Sequence, residues 1–245
     1  MNRQERTRSE MEIGYVFISG AGLGTGIWEG VVQRLNRPYL LIEPPIRRGL
    51  NDTQAELTLQ EYVSDMKQQV VNWGLRKIIL VAHSLGGVLA LRLADELSEQ
   101  LAGFVAVGAA IPKDGGSFLS TLPFPKRLIV SAIMRKMGTK PPESAIRTEL
   151  CNDLTAEQAA AIVRDFVPES IRVYTDRTES AVPAADVPKL YVKLSKDKAF
   201  PPSQQDRMIK HLDPHEVTTI DAGHLPMISQ PAELVQAITN LNHHE

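Results

Sequence analysis

The seven residues Val81-Ala82-His83-Ser84-Leu85-Gly86-Gly87 constrain this chain more than any other stretch. They follow the apolar run Lys77-Ile78-Ile79-Leu80-Val81 and precede a helical pattern that opens at Val88, so a serine stands where a strand turns sharply into a helix. A turn that tight strains the backbone at the serine and leaves no room for bulk two positions before or after it. Ala82 and Gly86 meet that demand. The following helix points its first N–H groups at the turn, which favours negative charge developing on a bound carbonyl, and the Leu85 N–H is one candidate donor. This is the pattern of a nucleophile elbow. Taken by itself, the same stretch also reads as a buried strand, a serine N-cap and a glycine-rich turn.

The partners such a serine needs occur in the chain order Ser, acid, His. His224 follows the strand pattern Glu216-Val217-Thr218-Thr219-Ile220 within Asp221-Ala222-Gly223-His224. That places it on a loop at a strand's C-terminal end, where open α/β sheets put their ligand sites. A neutral imidazole there takes the Ser84 proton and returns it to a leaving group. Asp197, after the strand pattern Leu190-Tyr191-Val192-Lys193-Leu194 and before Pro201-Pro202, leads as the acid that orients His224. Asp114 remains open as the alternative, because it follows the earlier strand Phe104-Val105-Ala106-Val107. Asp221 is too close to His224 along the chain to approach its ring from the far side and reads as structural. His83 reads as support for the elbow. His211, His215, His243 and His244 fall on helical or terminal surface. His211 and His215 are four apart, yet no Cys, Asp or Glu cluster of metal-ligand spacing accompanies them.

A second oxyanion donor is expected from the loop Ser19-Gly20-Ala21-Gly22-Leu23-Gly24-Thr25-Gly26. The same loop raises a rival, since Gly20, Gly24 and Gly26 have the spacing of a nucleotide-binding turn and Glu43 ends the next strand. Short-chain dehydrogenases resemble one another in a catalytic Tyr-x-x-x-Lys, and none of Tyr15, Tyr39, Tyr62, Tyr174 or Tyr191 has Lys four residues later. The rival also leaves the Ser84 elbow unused.

Apolar strands near 13–19, 39–43, 77–82, 103–108, 189–194 and 216–220 alternate with helical patterns, which predicts a mainly parallel six-stranded α/β sheet covered on both faces. Leu59, Tyr62, Val63, Met66, Val70 and Trp73 form one helical stripe of core packing, opened by a Thr58/Glu61 capping box. Between Gly115 and Val187 the alternation breaks into a proline-punctuated helical stretch, with a second capping box at Thr155 and Gln158. The expected organisation is a disordered lead-in over 1–12, a core over 13–114 and 188–245, and a helical cap over 115–187 inserted after the fourth strand. In the cap, Phe118, Leu119, Phe124, Ile133, Met134 and Met137 are candidates to line an apolar pocket above Ser84, or to pack the cap on the sheet. Lys126, Arg127, Arg135, Lys136 and Lys140 read as a solvated face that also suits an anionic substrate.

At 245 residues, 43% hydrophobic and a formal net charge of −2, the chain has enough apolar residues for one large core and lacks the basic excess of a nucleic-acid binder. Its single Cys151 cannot form an internal disulfide. With neither signal-like nor spanning apolar segments, a cytoplasmic location and no membrane partner are expected.

On these residues the chain resembles the α/β-hydrolase superfamily, and more closely the small plant-type esterase and hydroxynitrile lyase group. Val16-Phe17-Ile18-Ser19-Gly20-Ala21, with Trp28 opening the next helix, looks like that group's His-Gly loop. Leu225-Pro226-Met227-Ile228-Ser229-Gln230-Pro231 resembles the segment after its catalytic His. The resemblance implies Ser84, His224 and Asp197 as the triad, with Ala21 and Leu85 giving the oxyanion N–H groups. Ser19 departs from the group, which commonly has His there. The group's lyases carry Lys beside the catalytic His, where this chain has Leu225, so the resemblance implies hydrolysis of small, fairly apolar esters rather than cyanide release. No metal or organic cofactor is implied. Two other readings use the same residues: a lyase or carbon–carbon bond hydrolase, and a small-molecule binding protein without turnover.

Overall fold

The computed structural model describes residues 13–49, 56–179 and 182–241; the expected lead-in over 1–12, and His243 and His244, lie outside the described residues. Six strands, β1 (Ile13–Ile18), β2 (Tyr39–Leu41), β3 (Lys77–His83), β4 (Leu101–Val107), β5 (Lys189–Leu194) and β6 (Glu216–Ile220), form one sheet in the order β2-β1-β3-β4-β5-β6. Every pairing is parallel, so the α/β sheet is as expected. β4 begins two residues earlier than the sequence pattern indicates, across a register shift at Ile78/Ile79.

Parallel strands are buried on both sides, and alternate residues explain how. Val16, Ile18, Leu80, Phe104 and Tyr191 point into one core, with α1 (Leu59–Trp73), α2 (Gly86–Glu96) and α5 (Pro202–Leu212). Tyr15, Phe17, Val81, Val105 and Val192 point into the other, with Trp28, Val31 and α6 (Pro231–Asn240). Each such Val, Leu or Phe stabilises the fold by about 1.5–3 kcal/mol through burial. The Thr58/Glu61 capping box starts α1 and left-handed Gly74 ends it, so the helix runs as its stripe predicts.

Between β4 and β5 lie α3 (Lys126–Met137), α4 (Ala156–Asp165) and several shorter turns. The Thr155/Gln158 box opens α4, whose Ala159 and Ile162 pack in the second core with Phe166. Leu119 is buried and Phe118 meets Tyr174 edge-on at 5.4 Å. Phe124, Ile133 and Met137 are instead exposed. α3 carries apolar residues around most of its circumference, and only Val130 and Met134 pack against the core, so composition alone does not select its inward face.

The chain leaves β1 toward β2 on one side and returns to β3 on the other. The sheet's switch point is therefore between β1 and β3, where open α/β sheets bind ligands.

Candidate active site

Ser84 follows β3 at that switch point with φ of 52°, one of two non-glycine residues with positive φ among those described. The strain is held by backbone bonds: the Ser84 N–H donates to Val107 O at 3.3 Å, and its carbonyl accepts from Gly87 N at 3.1 Å and Ala110 N at 2.9 Å. Gly86 is required by proximity. A Cβ there would sit 2.7 Å from Ser19 O and 2.9 Å from Ile18 O, and backbone oxygens cannot move aside.

The structure brings Ser84, His224 and Asp197 together from loops after three different strands. His224 Nε2 lies 3.0 Å from Ser84 Oγ, and His224 Nδ1 lies 2.7 Å from Asp197 Oδ2. A carboxylate only accepts, so Nδ1 carries the proton and the Nε2 lone pair faces the serine hydroxyl. Asp197 is itself fixed, since its Oδ1 accepts from Phe200 N at 2.8 Å. Leu85 follows Ser84 directly, and Ala21 follows Gly20, on which a Cβ would lie 2.8 Å from the Ser84 Cβ; among the described residues neither the Ala21 nor the Leu85 N–H donates to a protein acceptor.

Residues 15–237 match the family model of the alpha/beta hydrolase family. The chain belongs to that family. Among curated relatives, this α/β hydrolase is 23% identical to a carbendazim hydrolyzing esterase of Nocardioides sp. (strain SG-4G), over 93% of this chain and 98% of that one. It is 23% identical to methylesterase 9 of Arabidopsis thaliana, over 93% and 97%. Among solved structures, an extracellular α/β-hydrolase from a Paenibacillus species superposes with a TM-score of 0.81 at 18% identity, covering 94% of this chain and 98% of that chain. The expected resemblance to the plant-type esterase group holds.

Several contacts brace the site of this α/β hydrolase. His83 Nε2–H donates to His224 O at 2.8 Å, and the two rings lie 4.7 Å apart. Burial, then the neighbouring His224, hold His83 well below the usual histidine range, so it stays neutral. Ser19 answers the question raised by the group's usual His: its Oγ accepts from Trp28 Nε1 at 3.0 Å and donates to Gly24 O at 3.3 Å. Gly22 has φ of +72°, and a Cβ on it would lie 2.2 Å from the Phe166 ring.

Three supports come from the segment between β4 and β5 and have no signal in the sequence. Asn152 Nδ2 donates to Lys196 O at 3.0 Å, beside Asp197. Asp153 Oδ2 accepts from Gly223 N at 2.6 Å, beside His224. Glu169 accepts from Gly22 N at 3.2 Å and from Tyr62 Oη at 2.7 Å. Residue separations of 44, 70 and 147 put these pairings beyond any local pattern.

Burial raises the Glu169 carboxyl above its usual range, against the lowering effects of Tyr62, Gly22 and Arg47. A folded-state value above the unfolded one favours folding while the group is protonated, and that contribution is lost as pH rises through the raised value. Glu169→Gln is therefore expected to gain stability relative to wild type as pH rises from 4.5, the ordinary carboxyl value, into the neutral range. Glu169→Ala, which leaves the Tyr62 hydroxyl without its acceptor, is expected to cost about 1–3 kcal/mol across that range. Thermal unfolding of the three proteins against pH checks both; a wild-type-to-Gln difference that stays flat with pH contradicts them.

The remaining candidates lie elsewhere. Asp114 is exposed and Asp221 bonds Ser195 Oγ and Lys196 Nζ, so neither faces His224. His211 Nδ1 meets Ile111 O at 2.7 Å and His215 Nε2 meets Ala185 O at 2.9 Å. Among the described residues, no cluster of three metal-ligating side chains occurs. Cys151 is buried and its thiol is pushed up to about 11, so it stays protonated and a poor nucleophile. Among the described residues, no helix is long and apolar enough to cross a membrane.

A cavity of about 20 Å³, room for roughly one water, lies against Gly20 and Leu85, with Ile18, Ile42, Met66 and Leu89 in its walls. A wider groove of about 740 Å³ runs past Gly24, Arg47, Ile162 and Pro231, but neither Ser84 nor His224 lines it. The smaller cavity does not reach Ser84 or His224 either, but it borders Leu85, one of the expected oxyanion donors, and Gly20, the neighbour of the other.

Proposed function

We propose that this α/β hydrolase is a serine carboxylesterase that cleaves small, fairly apolar esters through an acyl-enzyme. The observation that carries the reading is the bonded chain from Asp197 through His224 to Ser84. Ser84 Oγ attacks the ester carbonyl carbon as its proton passes to His224 Nε2. Asp197 stabilises the resulting imidazolium and keeps the Nδ1 proton in place. The carbonyl oxygen, now negative, is held by the Ala21 and Leu85 N–H groups, each of which is worth about 2.7–4 kcal/mol by analogy with oxyanion donors elsewhere. Collapse of the tetrahedral adduct breaks the bond to the alcohol oxygen, which takes the proton from His224 Nε2. Water then attacks the acylated Ser84 with His224 as base, and the free acid leaves. Neither a metal nor an organic cofactor enters these steps.

The esterase names among the relatives support the choice of ester over other acyl compounds. Leu225, fully buried beside His224, puts no cation there for a leaving anion of the cyanide kind. The cavity against Leu85 favours a substrate with a small group on one side of its carbonyl. Initial rates on p-nitrophenyl acetate, butyrate and octanoate test this: kcat/KM is expected to fall by tenfold or more from butyrate to octanoate. A preference for octanoate contradicts the size argument. Absence of turnover on every ester, with a non-ester substrate cleaved by the same triad, contradicts the esterase reading.

A further inference from the structure

Independently of the catalytic reading, we propose that α3 and the turn before it dock this protein on membranes rich in anionic lipid. α3 has no buried residue, although seven of its twelve positions, Leu128 through Val130, Ala132 through Met134 and Met137, are apolar. Phe124 and Met137 are each 72% exposed and Ile129 is 57% exposed, with Leu128 and Ile133 beside them. Only Val130 and Met134 turn inward against the core. Large apolar side chains grouped on one surface element mark an interaction site, whereas single exposed ones do not.

Charge identifies the partner. Between Asp114 and Glu143 the chain carries Lys126, Arg127, Arg135, Lys136 and Lys140 and not one acidic residue. All five cations are exposed, and none forms an ion pair among the described residues. The whole chain has 27 basic and 29 acidic residues, so the remaining 22 basic residues face 29 acidic ones and this patch stands against an acidic background. A symmetric pairing of two copies through α3 would set these cations against themselves, which disfavours a second copy as the occupant. An anionic bilayer surface satisfies both halves of the pattern. Phe124, Leu128, Ile129, Ile133 and Met137 enter the headgroup boundary, and the long basic side chains reach back to lipid phosphates. The absence of a spanning segment, on which the expectation of no membrane partner rested, does not bear on a helix that lies in the interface.

Co-sedimentation of the full chain with vesicles tests the proposal. Phosphatidylcholine vesicles with about one third phosphatidylglycerol are compared with phosphatidylcholine alone, at low and high salt. Binding is expected only to the anionic vesicles and to weaken with salt. Each cation near such a surface adds roughly fivefold to partitioning, so Lys126→Gln/Arg135→Gln/Lys136→Gln is expected to reduce it roughly a hundredfold. Ile129→Ser/Ile133→Ser is expected to reduce it while leaving the cations in place, and an unchanged thermal midpoint confirms that each variant folds. Wild-type protein that stays in the supernatant overturns the proposal, as does equal, salt-insensitive binding to neutral vesicles. A concentration-dependent dimer abolished by Ile129→Ser, without vesicle binding, assigns the face to a second copy instead and likewise overturns it.

Discussion

Ser84→Ala is expected to lower kcat on short p-nitrophenyl esters by roughly 10⁵–10⁶-fold, with the thermal midpoint nearly unchanged. The size follows from the Oγ being the attacking atom: without it the oxyanion donors and His224 have no covalent step to assist, and only the residual effect of binding survives. The small effect on stability follows from the turn. Its backbone bonds to Val107, Gly87 and Ala110 do not involve the side chain, and the Oγ contributes one hydrogen bond, to half-buried surroundings. Initial rates beside a thermal melt separate the two effects. A variant that retains more than about one hundredth of wild-type kcat would move the nucleophile elsewhere.

Asp197→Asn is expected to lower kcat by about ten-thousandfold while Asp114→Asn stays within about twofold of wild type. The asparagine keeps an oxygen for Phe200 N, so the loop survives. Facing His224 Nδ1, however, the amide either presents N–H to a nitrogen that already carries a proton or forces the other tautomer, which turns Nε2–H toward Ser84 and removes the base. Asp114 is exposed and bonded to neither His224 nor Ser84, so its charge is screened by water. Rates for the two variants side by side decide the acid; a large loss at Asp114, or a mild one at Asp197, contradicts the assignment.

What the sequence reveals here is what local physics dictates. The elbow is legible because the strain at Ser84 demands small neighbours within two residues, and Gly86 against Ser19 O and Ile18 O bears that out in distances. The strands are legible because parallel strands buried on both faces must be nearly all apolar, as Ile78 through Ala82 are. His224 is legible from its place after the last strand pattern. The acid stays open between Asp197 and Asp114 in the sequence, because both follow strands at the same end of the sheet; the structure puts Asp197, and not Asp114, 2.7 Å from His224 Nδ1. Glu169, Asp153 and Asn152 are invisible in sequence for a different reason. Each bonds a backbone group on a distant loop, and a backbone group leaves no mark in the residue pattern. The facing of α3 is hidden because apolar residues occupy almost every direction around it. Its exposure is set by how the stretch between β4 and β5 packs, which its own periodicity does not encode.

The most direct test of the central claim is covalent trapping: intact-mass and peptide analysis after incubation with a fluorophosphonate, in wild type, Ser84→Ala and His224→Ala. The account predicts one adduct per chain on the peptide that holds Ser84, none in Ser84→Ala, and labelling of His224→Ala slower by at least a hundredfold. An unlabelled wild type that still turns over esters, or an adduct on any other residue, would contradict it.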